Sequence, residues 1–249
     1  ESSGQSRTHE GVLLRHVTDQ PAAALPECAA VEHHSRLAGH HGLGHRACPD
    51  KHLRVRASDE LHSERVAGDG DGLAIGGNHL THALRRNVDI NILLFNNRIY
   101  GLTKGQYSPT SEIGARTSSS PFGSIENPVN PVGVAIGSEA SFIARTVDVF
   151  QKHMSGVLRR SAEHRGAALV EIAQNCIIFN DATWGHITDP DNRLENVLYL
   201  EHGKPMLFGK DKDRGLRLNG IIPEVVSLAD TPIDEIMVHD ENSPRTHMA

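Results

Sequence analysis

Hydrophobic positions follow two different regimes along the chain. Up to Val66 the apolar residues are mostly Ala, Leu and Val, scattered without a sustained period of two or 3.6 residues. From Gly68 onward the pattern is that of an ordinary α/β protein. Leu73, Ile75, Leu80, Ala83 and Leu84 predict a helix over Leu73–Arg86. The run Val88–Phe95 (VDINILLF) is almost wholly apolar and ends in Asn96-Asn97, the signature of a buried parallel strand. Further helices are expected over Pro131–Ala140 and Val149–His164, the latter stopped by Arg165-Gly166, with strands over Phe142–Val147 and Ala167–Ala173. Alternating helix and strand signals predict a doubly wound parallel sheet. Tyr107–Pro131 is rich in Ser, Thr, Pro and Gly and too long for a connector, so it is expected to be a binding loop or lid. Beyond Asn180 the pattern is more irregular, and Val197–Phe208, with Gly203-Lys204 at its centre, predicts a hairpin. The expected divisions are residues 1–66, an α/β domain over 67–180 and a C-terminal extension over 181–249.

Composition sharpens the contrast at the amino-terminal side. The first Ile is Ile75, the first Asn is Asn78 and the first aromatic is Phe95, while nine of the 17 histidines precede Val66. Ile and aromatic residues build strands and cores, so this segment lacks core-forming material. The missing types are those of AT-rich codons, and the enriched His, Arg and Ala are common when a GC-rich gene is read out of frame. One reading is therefore a frame-shifted translation, which sequencing of the source gene tests. A disordered or loosely helical leader is another. A His-rich zinc module is a third, against which stands the spacing of Cys28 and Cys48, twenty residues apart with no Cys-x-x-Cys pair. The peptide His62-Ser63-Glu64-Arg65-Val66 makes a poor parallel strand, so the sheet is expected to lack the strand before Gly68. Over the whole chain, three cysteines make no disulfide framework, no apolar run reaches a membrane span, and a net charge of −6 disfavours a general nucleic-acid binder. These features predict a soluble, cytoplasmic protein.

Chemistry enters with Gly68-Asp69-Gly70-Asp71-Gly72. The dinucleotide fingerprint fails, because the third glycine would fall at Leu73 or Ile75. An EF-hand loop fails too, since its twelfth position is Leu80 where a glutamate is required. What gives the glycines meaning is Asn96-Asn97-Arg98-Ile99-Tyr100-Gly101 further along. A helix from Leu73 carries the chain roughly 21 Å away, and a strand of about 3.3 Å per residue brings it back. Asp69 and Asn97 are thus expected at one carboxyl edge of the sheet, where open α/β sheets bind ligands. A carboxylate, an amide oxygen and a main-chain carbonyl are hard ligands suited to Mg²⁺, with diphosphate oxygens completing its shell. The glycines let backbone approach phosphate, and a helix start at Gly72 would offer N–H groups to it.

The string GDGDGLAIGGNHLTHALRRN…LLFNNRIYGLTKGQYSPTSE resembles the β subunits of 2-oxoacid:ferredoxin oxidoreductases, and its GDG…NN pair resembles the thiamine diphosphate signature. The resemblance spans about Gly68 to Asp240. It implies a thiamine diphosphate-binding fold with Asp69, Asn97 and the Ile99 carbonyl as Mg²⁺ ligands. It also implies cofactor contacts from Gly68, Gly70, Asp71, Tyr100, Gly101 and Leu102. Lys104 would lie near the substrate carboxylate or coenzyme A, whereas the plain reading of this lysine is a solvated charge. Cys176 resembles a ligand to a [4Fe-4S] cluster, whereas a lone cysteine after a strand is usually a small buried hydrophobe. Four thiolates hold such a cluster, and Cys28 and Cys48 do not reproduce the family's spacing.

By the same resemblance the chain would act with an α subunit that supplies the glutamate activating the cofactor. Carbon dioxide would leave from a 2-oxoacid, electrons would pass to ferredoxin and the acyl group to coenzyme A. The loop GLTKGQYSPTSE favours 2-oxoglutarate over pyruvate or branched 2-oxoacids. Two rivals are a non-oxidative thiamine diphosphate enzyme, whose chains are about twice this length, and a non-catalytic subunit without the cluster. His79 and His82 read as a solvated pair ahead of a metal pair, Trp184 as a packing residue, and the acidic end as solvated surface.

Overall fold

A computed structural model describes the backbone of residues 12–15 and residues 63–242. The leader and zinc readings, with Cys28 and Cys48, lie outside the described residues. The core is a four-stranded parallel sheet in the order β2 (Ser63–Gly68), β3 (Ile90–Asn96), β5 (Ala167–Ala173), β4 (Phe142–Val147). A short strand, β1 (Val12–Arg15), runs parallel to β6 (Val197–Leu200) outside that sheet.

β5 is buried at every position, as an interior strand covered on both faces must be. One face is covered by α2 (Gly77–Arg85) and α3 (Pro131–Gly137), through Leu80, Leu84 and Ala135 against Ile92, Leu94 and Leu169. α4 (Gln151–Glu163) covers the other, placing Val157, Met154 and Leu158 on Ala144, Val170 and Ile172. The α/β doubly wound class is therefore observed. Asn130 caps α3 by accepting hydrogen bonds from the Val132 and Gly133 N–H groups, with Pro131 at the first helical position.

Three elements differ from the sequence expectation. The strand before Gly68 exists: β2 pairs in register with β3 from Ser63↔Ile90 to Gly68↔Phe95. It lies at the sheet's edge, where Glu64 and Arg65 stay half-exposed, so it needs no apolar run. The helix expected over Leu73–Arg86 is two helices, α1 (Asp69–Leu73) and α2, separated at Ala74–Gly76. Gly76 N–H donates to the Asp71 carbonyl at 2.7 Å, and a Cβ at Gly76 would stand 2.6 Å from that oxygen, so the bend requires glycine. The hairpin over Val197–Phe208 does not form. Lys204 and Met206 instead bond with Met237 and His239, and β7 (Leu207–Phe208) joins β8 (Arg214–Asn219) and β9 (Ile222–Ser227) in an antiparallel sheet.

At the amino-terminal edge of the parallel sheet one side chain ties three strands together. Asn87 Oδ1 accepts from Ala167 N–H at 2.8 Å and from Ser141 Oγ at 2.6 Å, at the starts of β5 and β4, and Asn87 itself leads into β3. Gly166 beside it has φ +113°, and a Cβ there would meet Asn87 Oδ1 at 2.3 Å.

Candidate functional site

At the opposite, carboxyl-terminal edge the two glycine- and asparagine-bearing turns meet. Asp69 opens α1 directly after β2 and is 1% exposed. α1 starts here and not at Gly72, so Gly72 lies inside the helix. Asn97 follows β3, and its N–H points at Asp69 Oδ1 at 3.4 Å. One terminal atom of the Asn97 side-chain amide lies 3.1 Å from Asp69 Oδ1 and 2.8 Å from the Ile99 carbonyl oxygen. With nitrogen in that place, the amide donates to both. With oxygen there, three oxygens face one another, an arrangement that a cation between them relieves. In an octahedral site with arms of about 2.1 Å, neighbouring ligands stand ~3.0 Å apart, close to the spacings found.

The electrostatics of Asp69 point the same way. Burial is the main influence and raises its pKa, opposed by hydrogen bonds from Ser108, Thr110 and the Asn97 backbone. None of these partners is cationic. A buried carboxylate with only neutral donors is costly, and a divalent ion would remove the cost.

The other residues expected from sequence divide into two groups. Gly68 N–H donates to Asp71 Oδ1 at 3.1 Å, and burial raises the Asp71 pKa. Tyr100 OH donates to the Gly70 carbonyl at 2.7 Å, with its ring where a Cβ on Gly70 would sit, 2.5 Å away. These four residues join Asp69, Asn97 and Ile99. Gly101, Leu102 and Lys104 form the exposed turn that follows, closed by Lys104 N–H to Gly101 O at 3.1 Å and Gly105 N–H to Tyr100 O at 2.9 Å. Lys104 has φ +73° and Arg98 φ +57°, left-handed conformations that L side chains rarely adopt. Cys176 is half-buried on the neighbouring turn after β5, bridged to Asn180. Among the described residues it is the only cysteine, and no three His, Cys, Asp or Glu side chains gather to hold a metal. His79 and His82 are exposed on α2.

Several contributors were not legible in sequence. Thr110 Oγ1 donates to Asp69 Oδ2 at 2.6 Å, and Ser111 Oγ to the Arg98 carbonyl at 2.7 Å. Both are buried, so this part of the expected lid is a fixed wall of the site. Asn180 Nδ2 donates to the Asn97 carbonyl at 3.0 Å. Trp184 is a packing residue, as expected, and more: its Nε1 donates to the Asn96 carbonyl at 2.8 Å and the Arg98 guanidinium lies 3.8 Å over its ring. Arg98 also pairs with Glu112, and both line a cavity of about 280 Å³ with Gly114, Asn180 and Thr183.

Residues 57–172 match the family model for the thiamine pyrophosphate enzyme C-terminal TPP-binding domain. The match ends within β5 and so takes in Asp69, Asn97, Ile99 and Thr110 but not Cys176, Asn180 or Trp184. Over 202 residues, 81% of this chain and 54% of the relative, the sequence is 50% identical to the 2-oxoglutarate oxidoreductase subunit KorB of Mycobacterium tuberculosis. Over these spans the chain is similar to subunits of 2-oxoglutarate and 2-oxoacid:ferredoxin oxidoreductases. A more distant β subunit of this family, from Saccharolobus solfataricus, is 42% identical over 46% of the chain and 37% of its own length. Among solved structures, the 2-oxoglutarate:ferredoxin oxidoreductase from Magnetococcus marinus with 2-oxoglutarate, coenzyme A and succinyl-CoA bound aligns at TM-score 0.47 and 39% identity, covering 50% of this chain and 43% of that one. The chain spans about half the length of the curated β subunits it matches. Among its described residues no helix is long and apolar enough to cross a membrane.

Proposed function

We propose that this chain binds thiamine diphosphate and Mg²⁺ as the β subunit of a cytoplasmic 2-oxoglutarate:ferredoxin oxidoreductase. The convergence of Asp69, the Asn97 amide and the Ile99 carbonyl carries the reading. Those three groups would hold the ion. Gly68, Gly70 and Asp71 would lie beneath the diphosphate, while Tyr100, Gly101 and Leu102 would flank the thiazolium. When bound, thiamine diphosphate supplies the carbanion and electron sink for decarboxylating a 2-oxoacid. The protein's share is placement. The Tyr100 hydroxyl fixes the Gly70 carbonyl, Asn180 fixes the Asn97 carbonyl, and buried Thr110 and Ser111 keep water from the back of the carboxylate.

Lys104 is assigned to the substrate carboxylate or coenzyme A. Its exposed position on a strained turn beside Tyr100 supports that role, since strain of about 1–3 kcal/mol persists where function retains it. Cys176 is assigned as one ligand of a [4Fe-4S] cluster leading to ferredoxin. An α subunit is expected to cover the site's rim. Leu102, Ile113, Phe122, Ile125, Ile177 and Ile178 are 62–98% exposed there, in the segments following β3 and β5.

Binding of thiamine diphosphate to the chain assembled with its α subunit, titrated with Mg²⁺, tests the proposal. Wild type is expected to bind in an Mg²⁺-dependent manner and Asp69→Ala to lose that dependence; equal binding by both refutes the assignment. Ferredoxin reduction with 2-oxoglutarate, pyruvate and branched 2-oxoacids tests the substrate, and equal rates refute the preference. Iron content tests Cys176, and cofactor binding without ferredoxin reduction favours a non-catalytic subunit.

A further inference from the structure

The carboxylate of Asp69 presents two different faces. Oδ1 looks toward Asn97 and Ile99, and Oδ2 receives the Thr110 hydroxyl at 2.6 Å. Thr110 has one proton and a second acceptor within reach, Asn96 Oδ1 at 2.9 Å. Which atom of the Asn96 amide faces Thr110 is decided further away. Asn96 Nδ2 donates to Glu171 Oε1 at 2.7 Å, so oxygen, an acceptor, is left for Thr110. Glu171 is 1% exposed on β5, and its Oε2 is held by Arg145 Nε from β4 at 2.7 Å. Asn96 Oδ1 already receives the Arg98 N–H at 3.2 Å, so the Thr110 proton goes to the shorter, charged contact.

We propose that Thr110 is a positioning residue that sets cation affinity by fixing which oxygen of Asp69 faces Asn97 and Ile99, with its own place fixed by Asn96, whose amide is held through Glu171 by Arg145. The proposal rests on the assignment of Asp69 as a cation ligand. Every link has one allowed direction: arginine and the Asn96 NH₂ donate to Glu171, the Asn96 oxygen cannot donate back, and the Thr110 hydroxyl donates to Asp69. The chain of contacts spans three strands and a loop residue 41 positions from Asp69. Without the hydroxyl, Oδ2 loses its 2.6 Å contact inside a dry site, and the carboxylate, left with Ser108 and the Asn97 N–H as donors, is held less firmly toward the ion. Partners of this kind change metal affinity by about 10- to 100-fold when removed.

The test uses the full chain assembled with its α subunit, reading the Mg²⁺ concentration that gives half-maximal thiamine diphosphate binding, with melting in chelator as the measure of fold. Thr110→Val is expected to raise that concentration at least ~10-fold while Thr110→Ser, which keeps the hydroxyl, stays within ~3-fold of wild type. Arg145→Lys, three contacts from Thr110, is expected to raise it about 5-fold, above the range allowed to serine and below the ~10-fold loss of a direct partner. A folded Thr110→Val with the wild-type midpoint overturns the proposal, as does a Thr110→Ser shift as large as that of valine. If the valine variant does not assemble, an unchanged midpoint in Arg145→Lys overturns the relay and a raised one supports it. Wild-type binding indifferent to Mg²⁺ would instead remove the assignment of Asp69 on which the proposal rests.

Discussion

Replacing Asp69 by asparagine should make the cation-free chain more stable and the cofactor site inoperative. The carboxylate is 1% exposed and has hydrogen-bond donors around it but no cationic partner. An asparagine side chain keeps an oxygen for the Thr110 hydroxyl and offers NH₂ toward the Asn97 amide oxygen, so it removes the buried charge at the loss of only the long 3.4 Å contact from the Asn97 N–H. Removing an uncompensated buried group of this kind returns about 1–3 kcal/mol, or roughly 2–12 °C in melting temperature for a chain of this size. The effect has a definite pH sign. Burial raises the Asp69 pKa above the ordinary carboxylate value near 3.9, so the ionised form burdens the folded state. Below that value both variants carry a neutral side chain and should melt alike. As pH rises from the ordinary value through the raised one, wild type should fall behind Asp69→Asn. Melts in chelator across pH 3–8 would measure this. Added Mg²⁺ and thiamine diphosphate at ~100 times the dissociation constant should then stabilise wild type by about 2.7 kcal/mol and leave the asparagine variant unmoved. An asparagine variant that melts below wild type in chelator at neutral pH, or that gains as much from the cofactor, would refute the reasoning.

Three further outcomes follow from the geometry. Trp184→Phe should cost about 1–2 kcal/mol in urea denaturation followed by circular dichroism, a moderate loss because the Asn96 carbonyl keeps the Gln174 N–H at 3.0 Å. Gly70→Ala should destabilise by about 1–3 kcal/mol and weaken thiamine diphosphate binding, since its Cβ would displace the Tyr100 ring 2.5 Å away. Burial lowers the His164 pKa, so wild type should lose stability relative to His164→Gln as pH drops below about 6.5, measured by melts between pH 7.5 and 5.

Ala167–Ala173 was legible to the residue because an interior parallel strand is a nearly continuous apolar run, and Phe142–Val147, at the sheet's edge, because Ser141 and Asp148 bound its apolar-rich run sharply. The meeting of Asp69 with Asn97 was legible because a helical segment and a strand of matching length return the chain to the same edge. β2 was not, because an edge strand tolerates Glu64 and Arg65 and takes its register from backbone pairing with β3. Thr110 escaped for a related reason: a Ser/Thr/Pro-rich loop looks mobile, and nothing in its local pattern records a contact 41 residues away. The break at Ala74–Gly76 was hidden because the apolar periodicity continues across it, while Gly76 alone marks the bend.

The Asn87 hub and the Asp69 cradle occupy opposite ends of the same strands. Clamping three strand origins through one amide means that the far ends arrive in fixed stagger, whatever the loops beyond them contain. Such a scaffold can be retooled at one rim by exchanging loop sequence, while a single altered amide at the other would desynchronise all three strands at once.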